Sequence, residues 1–484
     1  MVEQTQKSKI PAKRDLAPRD KYQKYLENLE NKDLYERVKI LGEAYAAGAK
    51  AFEEDPKAAE EMKKLNTLIF IAAQEEHGRT GSRKSVVDYR KGVSVDEQEL
   101  SAVRQMYVQG RAWSLDYFET IYQRLGTAFD AYYFESQVGE YGMTLVKKHL
   151  TDGIFEESDA AVVYRGEKKG MHTRVFVNSL GLPTYEAKEL GLAPVKYADW
   201  PYDLSLIVTG NEINEYFRVV MAALTEINPD LAKKSRHIGH GMVRGPDGSK
   251  LSSRQGNILT GDSLIDEVKS RIYDFLHKSD RKYTKRHQEQ IAEKAAVAAV
   301  KYSLLRVALP SDIAFDIGKS ISFEGDSGPY IQYTYARARS VMRKAMEAGI
   351  SNDVLRITDD ENSHNTKYEP HNAFSFNPEE REVARLILYF PDIAMDAAES
   401  FAPNRVANYL FQLAQAFNLF YAKHQILGDR NIVLSSTEVK RNQNHNTKYE
   451  THNTISFRLA LTNATAHVLK NGLYLLGIDV LEEM

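Results

Sequence analysis

An α/β region followed by an all-α region is the fold class that this 484-residue sequence predicts. Three observations carry the prediction. Between residues 161 and 224, short apolar runs alternate with segments of helical spacing, the pattern of a partial parallel sheet with helices packed on it. From Asp262 onward almost every segment has helical spacing and short connections, the pattern of an α-helical bundle. The length, at roughly 150 residues per domain, calls for about three domains. We place them at 1–128 (mainly helical), 129–320 (the α/β part with its connecting helices) and 321–484 (the bundle).

Taken in order, residues 1–30 are polar and rich in Lys and Glu, and helical spacing begins at Leu34 with Val38, Leu41, Ala44 and Tyr45. A charged, Gly-containing connector over 76–95 precedes a second helical stretch from Glu97 to Leu125. Strand-like pieces follow at Ala161–Tyr164, Val175–Val177 and Leu204–Thr209. The second of these runs into an Asn178–Pro183 turn and a helix start at Thr184; the third ends in Gly210-Asn211. Ligands of such sheets sit at the carboxyl ends of strands, so the turns after Val177 and Thr209 are where chemistry is expected. Helices are predicted at Ile291–Leu309, Pro329–Ala348, Pro378–Ser400, Arg405–Leu427 and Arg458–Leu476.

Composition narrows the classes without naming one. Cysteine is absent, which excludes disulfides, thiolate metal sites and cysteine nucleophiles and fits a reducing cytoplasm. No apolar stretch approaches the roughly 20 residues that span a bilayer, so no membrane role is expected. A net charge of −3 gives no global attraction to nucleic acid. The basic run from Lys269 to Arg286 could meet a polyanion locally, although by itself such a run reads as a solvated helix face. A polar nonamer, His364–Asn372, recurs at His445–Asn453. Its histidines suggest a metal site, but without an apolar period both copies read as surface-loop insertions with no site; no metal is assigned.

The stretch with most chemistry is Gly239-His240-Gly241-Met242-Val243-Arg244, a Gly-Pro-Asp-Gly turn, then Ser249-Lys250-Leu251-Ser252-Ser253-Arg254-Gln255-Gly256-Asn257. Glycines admit backbone N–H groups to phosphate oxygens, and a lysine adds a point charge, as suits a loop closing on a triphosphate. Lys250–Asn257 resembles the second signature loop of the class I aminoacyl-tRNA synthetases, in the form used by the arginine enzymes, with Leu251 replacing the usual methionine. Residues 237–240 spell His-Ile-Gly-His, the wording of the other class I signature. That signature belongs after the first strand, so we read 237–240 as the adenine-side turn.

Three further stretches resemble the arginyl-tRNA synthetases. Phe129–Val138 is similar to the segment whose glutamate, here Glu135, reads the guanidinium, a planar fork that a carboxylate matches. Gly181–Glu189 is similar to the segment giving a tyrosine and, four residues on, an acid: Tyr185 and Glu189, where the family has Asp. Thr209–Phe217 is similar to a pocket-lining segment, offering Glu212 and Asn214, with Ile213 where some relatives have a polar residue. Asp312–Asp316, Ser322–Arg337 and Phe417–Tyr421 are similar to the anticodon-binding domain, with Tyr330, Gln332, Arg337, Asn418 and Tyr421 as candidate tRNA contacts.

The resemblance implies the second half of a Rossmann-type class I catalytic domain followed by a helical anticodon-binding bundle. It implies a cytoplasmic, monomeric arginine–tRNA ligase with L-arginine, ATP accompanied by Mg2+, and tRNA(Arg) as substrates. Lys250, Ser252 and Ser253 would act on the phosphates, Gly239, His240, Gly241, Met242 and Val243 would hold the nucleotide, and Glu135, Tyr185 and Glu189 would hold arginine. A full member should also carry a preceding tRNA-contacting domain and the first half of the nucleotide fold. The chain alone is therefore expected to be inactive and to need a separate N-terminal fragment. The alternative is a non-catalytic tRNA-binding descendant.

Overall fold

The computed structural model describes residues 18–79, 89–90, 93–248, 260–277, 283–350, 376–427 and 445–484. They form two compact units, Met1–Gly239 and His240–Met484.

The first unit opens with helices α1 (Pro18–Glu30), α2 (Leu34–Glu54), α3 (Pro56–Arg79) and α4 (Glu97–Leu125). The helical stretch read from Leu34 is two helices because Pro56 lacks the N–H that would continue the ladder. Asp33 caps α2 by accepting the Glu36 N–H at 2.8 Å, and Asp96 accepts the Gln98 N–H at 2.8 Å to start α4. Gly126, at φ +64°, ends α4 in the left-handed turn that a residue without Cβ adopts freely. Leu26, Leu29 and Trp113 form a small cluster between α1 and α4, where the Arg37 guanidinium lies 5.1 Å from the Trp113 ring centroid. Arg37 also donates to the Leu29, Lys32 and Glu30 carbonyls at 3.0, 2.8 and 2.7 Å, satisfying groups that the end of α1 leaves free.

Helix α5 (Glu135–Lys148) leads to strands β1 (Glu156–Ser158), β2 (Ala161–Tyr164) and β3 (Arg174–Val177). These pair antiparallel in the order β1-β2-β3, not parallel as their alternation with helices suggested. The linkers are too short for a crossover: two residues separate β1 from β2, and β2 reaches β3 through one 3-10 turn, Gly166–Lys169. Helix α6 (Tyr185–Asp199), strand β4 (Ser205–Gly210), helices α7 (Asn214–Ile227) and α8 (Pro229–Lys233), and strand β5 (Ser235–His240) complete this part, with β4 and β5 paired. One core joins Leu68 and Ile71 of α3, Leu100 of α4, Met143 of α5, Phe155, Phe176 of β3, Leu190 of α6 and Val219 of α7. At its centre α5 and α6 touch backbone to backbone. A Cβ on Gly142 would stand 1.8 Å from the Ala187 carbonyl oxygen, and one on Gly191 would stand 2.4 Å from that of Val138.

In the second unit, strand β6 (Val243–Arg244) pairs parallel with β7 (Ile313–Ala314) across helices α9 (Gly261–His277) and α10 (Lys285–Leu305). After the short α11 (Ile317–Ser320) come α12 (Gly328–Glu347), α13 (Pro378–Ser400), α14 (Pro403–Lys423) and α15 (His445–Leu475). The second polar nonamer is thus the beginning of a helix rather than a loop, and the first lies outside the described residues. The bundle core takes Tyr302 from α10, Ile331 and Tyr335 from α12, Val383 from α13, Leu410 and Phe417 from α14, and Leu469 and Leu473 from α15. The chain's last residues dock on it: Ile478, Leu481 and Met484 are buried. Gln332 Nε2 donates to the Asp479 carbonyl at 2.6 Å, and Tyr335 donates to Glu482 Oε1 at 2.6 Å. No helix among the described residues is long and apolar enough to cross a membrane.

Candidate functional site

The turn after β3 sets the first group of side chains. Asn178 Oδ1 accepts the Leu180 and Leu182 N–H groups, each at 3.0 Å, and Gly181 takes φ +74° to close the turn. Thr184 Oγ1 donates to the Val175 carbonyl at 2.7 Å, which fixes the start of α6 against β3. Tyr185 and Lys188 then project from the first turn of α6, near Glu135 in the first turn of α5. Lys188 Nζ lies 2.6 Å from Glu135 Oε2, 4.9 Å from the Tyr185 ring centroid and 5.5 Å from that of Phe70 on α3. A carboxylate and two aromatic faces around one nitrogen make a seat for a cation. Its outer wall is open, with Tyr185 66% exposed.

Behind the seat, Tyr216 of α7 donates to the Tyr185 carbonyl at 2.9 Å, and burial raises its phenol pKa. Glu189 turns inward: burial raises its carboxyl pKa, Lys196 opposes that shift, and Glu135 adds to it. The structure therefore joins Glu135 and Tyr185 through Lys188 and leaves Glu189 deeper on the same helix. Lys188, Phe70 and Tyr216 were not singled out from sequence. Lys188 lies inside the Gly181–Glu189 segment, but only the fold brings Phe70 and Tyr216 to it.

The turn after β4 carries the other two candidates. Glu212 is exposed in the 3-10 turn Asn211–Ile213. The Asn214 Oδ1 atom is buried without a hydrogen-bond partner and sits where a Cβ on Gly239 would be, 2.1 Å from that point. Gly239 thus admits the Asn214 carboxamide to the end of β5. His237, two residues earlier, stacks on Phe217 with centroids 4.0 Å apart and planes 10° apart, and its Nε2 meets Thr209 Oγ1 at 2.7 Å.

In the second unit, a Cβ on Gly241 would lie 1.8 Å from the Ser311 carbonyl oxygen, so only glycine lets the 240–243 segment approach the strand β7 entry. The Met242 N–H donates to Asp312 Oδ1 at 2.9 Å, and Arg244 Nε donates to Asp312 Oδ2 at 2.5 Å. His240 Nδ1 is 2.8 Å from the Gly241 carbonyl oxygen, and Val243 begins the parallel pairing with Ile313. Lys250, Ser252 and Ser253 lie outside the described residues. Of the basic run, Lys269 pairs with Glu293 at 2.9 Å and Arg271 with Glu267 at 2.7 Å, as on a solvated helix face.

The bundle gathers four of its five candidates. Tyr330, Tyr333, Thr334 and Arg337 form one stripe of α12, at spacings of three and four residues. The Arg337 guanidinium sits 4.6 Å from the Tyr333 ring centroid and 5.0 Å from that of Tyr421. Its Nη1 donates to Asn418 Oδ1 at 2.6 Å, while Asn418 Nδ2 donates to the Tyr330 hydroxyl at 3.0 Å and to Thr334 Oγ1 at 2.8 Å. Beside them opens a cavity of about 610 Å³, lined by Tyr333, Arg337, Arg343, Lys344, Tyr421 and His424 among others. Gln332, by contrast, is fully buried on the other side of α12, with its amide given to the Asp479 carbonyl; it offers no exposed edge for a base.

Comparisons with known proteins identify the domains. The family described as tRNA synthetases class I (R), catalytic domain, matches residues 105–317, and the DALR anticodon binding domain matches residues 331–484. Catalytic and anticodon-binding domains in this order define a class I aminoacyl-tRNA synthetase fold. The arginine–tRNA ligase of Parabacteroides distasonis is 31% identical over 387 residues, covering 79% of this chain and 59% of that one. That of Flavobacterium psychrophilum is 28% identical over 458 residues, covering 92% and 67%. The chain belongs to the arginyl-tRNA synthetase family, and it spans about three-fifths of the length of several curated relatives, 59% for the first. The Thermus thermophilus arginyl-tRNA synthetase structure shares the fold at a TM-score of 0.59 and 21% identity, covering 86% of this chain and 74% of that one. The Plasmodium falciparum enzyme does so at 0.58 and 19%, covering 86% and 68%.

Proposed function

We propose that this chain carries the arginine-recognising and tRNA-binding parts of an arginine–tRNA ligase, acting as a cytoplasmic monomer. What supports the reading most directly is the cation seat of Glu135, Tyr185 and Phe70, whose carboxylate and aromatic faces suit a guanidinium. In the reaction, an arginine carboxylate oxygen attacks the α-phosphorus of ATP, the bond to the β-phosphate oxygen breaks, and pyrophosphate leaves. The 3′-terminal ribose hydroxyl of tRNA(Arg) then attacks the arginyl carbonyl, and AMP leaves. Positioning and charge stabilisation supply the rate. Lys250, Ser252 and Ser253 would bear on the phosphates, with Mg2+ accompanying ATP. Gly239, His240, Gly241, Met242 and Val243 would hold the nucleotide, and Glu189, Glu212 and Asn214 would complete the amino-acid side. Tyr330, Arg337, Asn418 and Tyr421 would receive splayed anticodon bases, each stack contributing about 1–3 kcal/mol.

The test is arginine-dependent charging of tRNA by the 484-residue chain, alone and with the N-terminal part of a relative added. Charging in the second mixture, lost in Lys250→Ala, is the expected outcome. Tight tRNA binding that falls in Arg337→Ala, without charging in either mixture, would replace the ligase by a non-catalytic tRNA-binding protein.

A further inference from the structure

The cation seat is not empty. Lys188 fills it from within, with 15% of its side chain exposed against 59% for Glu135. Its stem is held at the α5 backbone, where a Cβ on Gly139 would stand 3.5 Å from Lys188 Cγ. Nζ is thereby delivered to Glu135 between the rings of Tyr185 and Phe70. This is the place the proposed function gives to the substrate's guanidinium, and the inference rests on that reading.

We infer that Lys188 is a tethered competitor for the cation seat, and that the need to displace it sorts arginine from lysine. A guanidinium brings a planar fork that meets a carboxylate through two parallel N–H bonds, whereas an ammonium meets it as a point charge. Arginine therefore offers Glu135 a bond that Lys188 cannot match. Free lysine offers only what Lys188 already supplies, and Lys188 has the advantage of high effective concentration. The seat rejects lysine by being occupied with it. The apparent affinity for arginine is lowered by the fraction of molecules in which Lys188 is in place.

Calorimetric titration of the full chain with L-arginine, L-lysine and agmatine tests this, using wild type, Lys188→Met and Lys188→Arg, with circular dichroism confirming each fold. Lys188→Met is expected to bind arginine about tenfold more tightly, as for a seat open about a tenth of the time in wild type. It should also acquire lysine binding. Lys188→Arg keeps the charge and tethers the stronger competitor, so its arginine affinity should fall below that of wild type. If Lys188→Met binds arginine equally or less well and still excludes lysine, Lys188 serves to position Glu135 and the inference is overturned. The same holds if none of the three proteins binds any of the three ligands. Uptake of agmatine by Lys188→Met, with no protein binding arginine, would keep the competitor and remove the ligase reading.

Discussion

The imidazole of His237 lies flat on Phe217 and meets Thr209 through Nε2. Burial lowers its pKa from 6.5. The folded state then binds fewer protons than the unfolded chain across that interval. The resulting stability is fully present above about pH 6.5 and is lost as pH falls through the folded value. Thermal unfolding of wild type and His237→Gln between neutral and mildly acidic pH checks this. Wild type should lose more of its melting temperature than the variant on acidification, and parallel pH profiles would refute it. The sequence displayed His237 inside a His-Ile-Gly-His string but not its partners, which come from β4 and α7. The same limit hid the competitor at Glu135: Lys188 was legible as a residue of the family-like segment, and its salt bridge and its contact with the Phe70 ring depend on contacts across 53 and more positions. Residue types at Tyr330, Arg337, Asn418 and Tyr421 could be read as stacking and edge-reading groups. That Gln332 faces inward follows only from how α12 is rotated in the bundle.

At the scale of elements, the close approach of α5 and α6 holds the cation seat together, because Glu135 and Lys188 stand on opposite sides of it. Gly142→Ala would push a methyl group into the Ala187 carbonyl, with backbone on both sides unable to yield. We expect a loss of about 3 kcal/mol in urea unfolding, at the upper end for overpacking. An unchanged midpoint would mean that the helices separate freely. Helices were the more legible elements: α4 runs from Glu97 to Leu125 as its spacing indicates, and α13 runs from Pro378 to Ser400. Strand direction was not legible. The apolar pieces at β2 and β3 match a parallel sheet in pattern, and only the length of the linker separates a crossover from a hairpin. The second nonamer misled for a related reason, since a polar segment joined to a long amphipathic helix can extend it without any apolar period of its own.

For the whole molecule, two compact units divide the chain, and the second depends on its own terminus. Ile478, Leu481 and Met484 are buried, while Glu482 takes hydrogen bonds from Tyr335 at 2.6 Å and from Arg339 at 3.1 Å. Removing residues 478–484 should cost the bundle roughly 5 kcal/mol, from three apolar side chains at roughly 1.5–3 kcal/mol each. Hydrogen exchange should show it as lost protection along α12, and full protection in the shortened chain would mean that the tail only covers the surface.

Trp113, packed beneath Arg37, has one further consequence. The chain has two tryptophans, and both Trp113 and Trp200 lie in the first unit, one buried and the other 58% exposed. Indole emission therefore originates in that unit alone, from a blue-shifted sheltered ring and a red-shifted wet one. The bundle is optically silent at wavelengths that excite only indole. A tryptophan introduced there would be a third emitter, seen against the signal of the native pair.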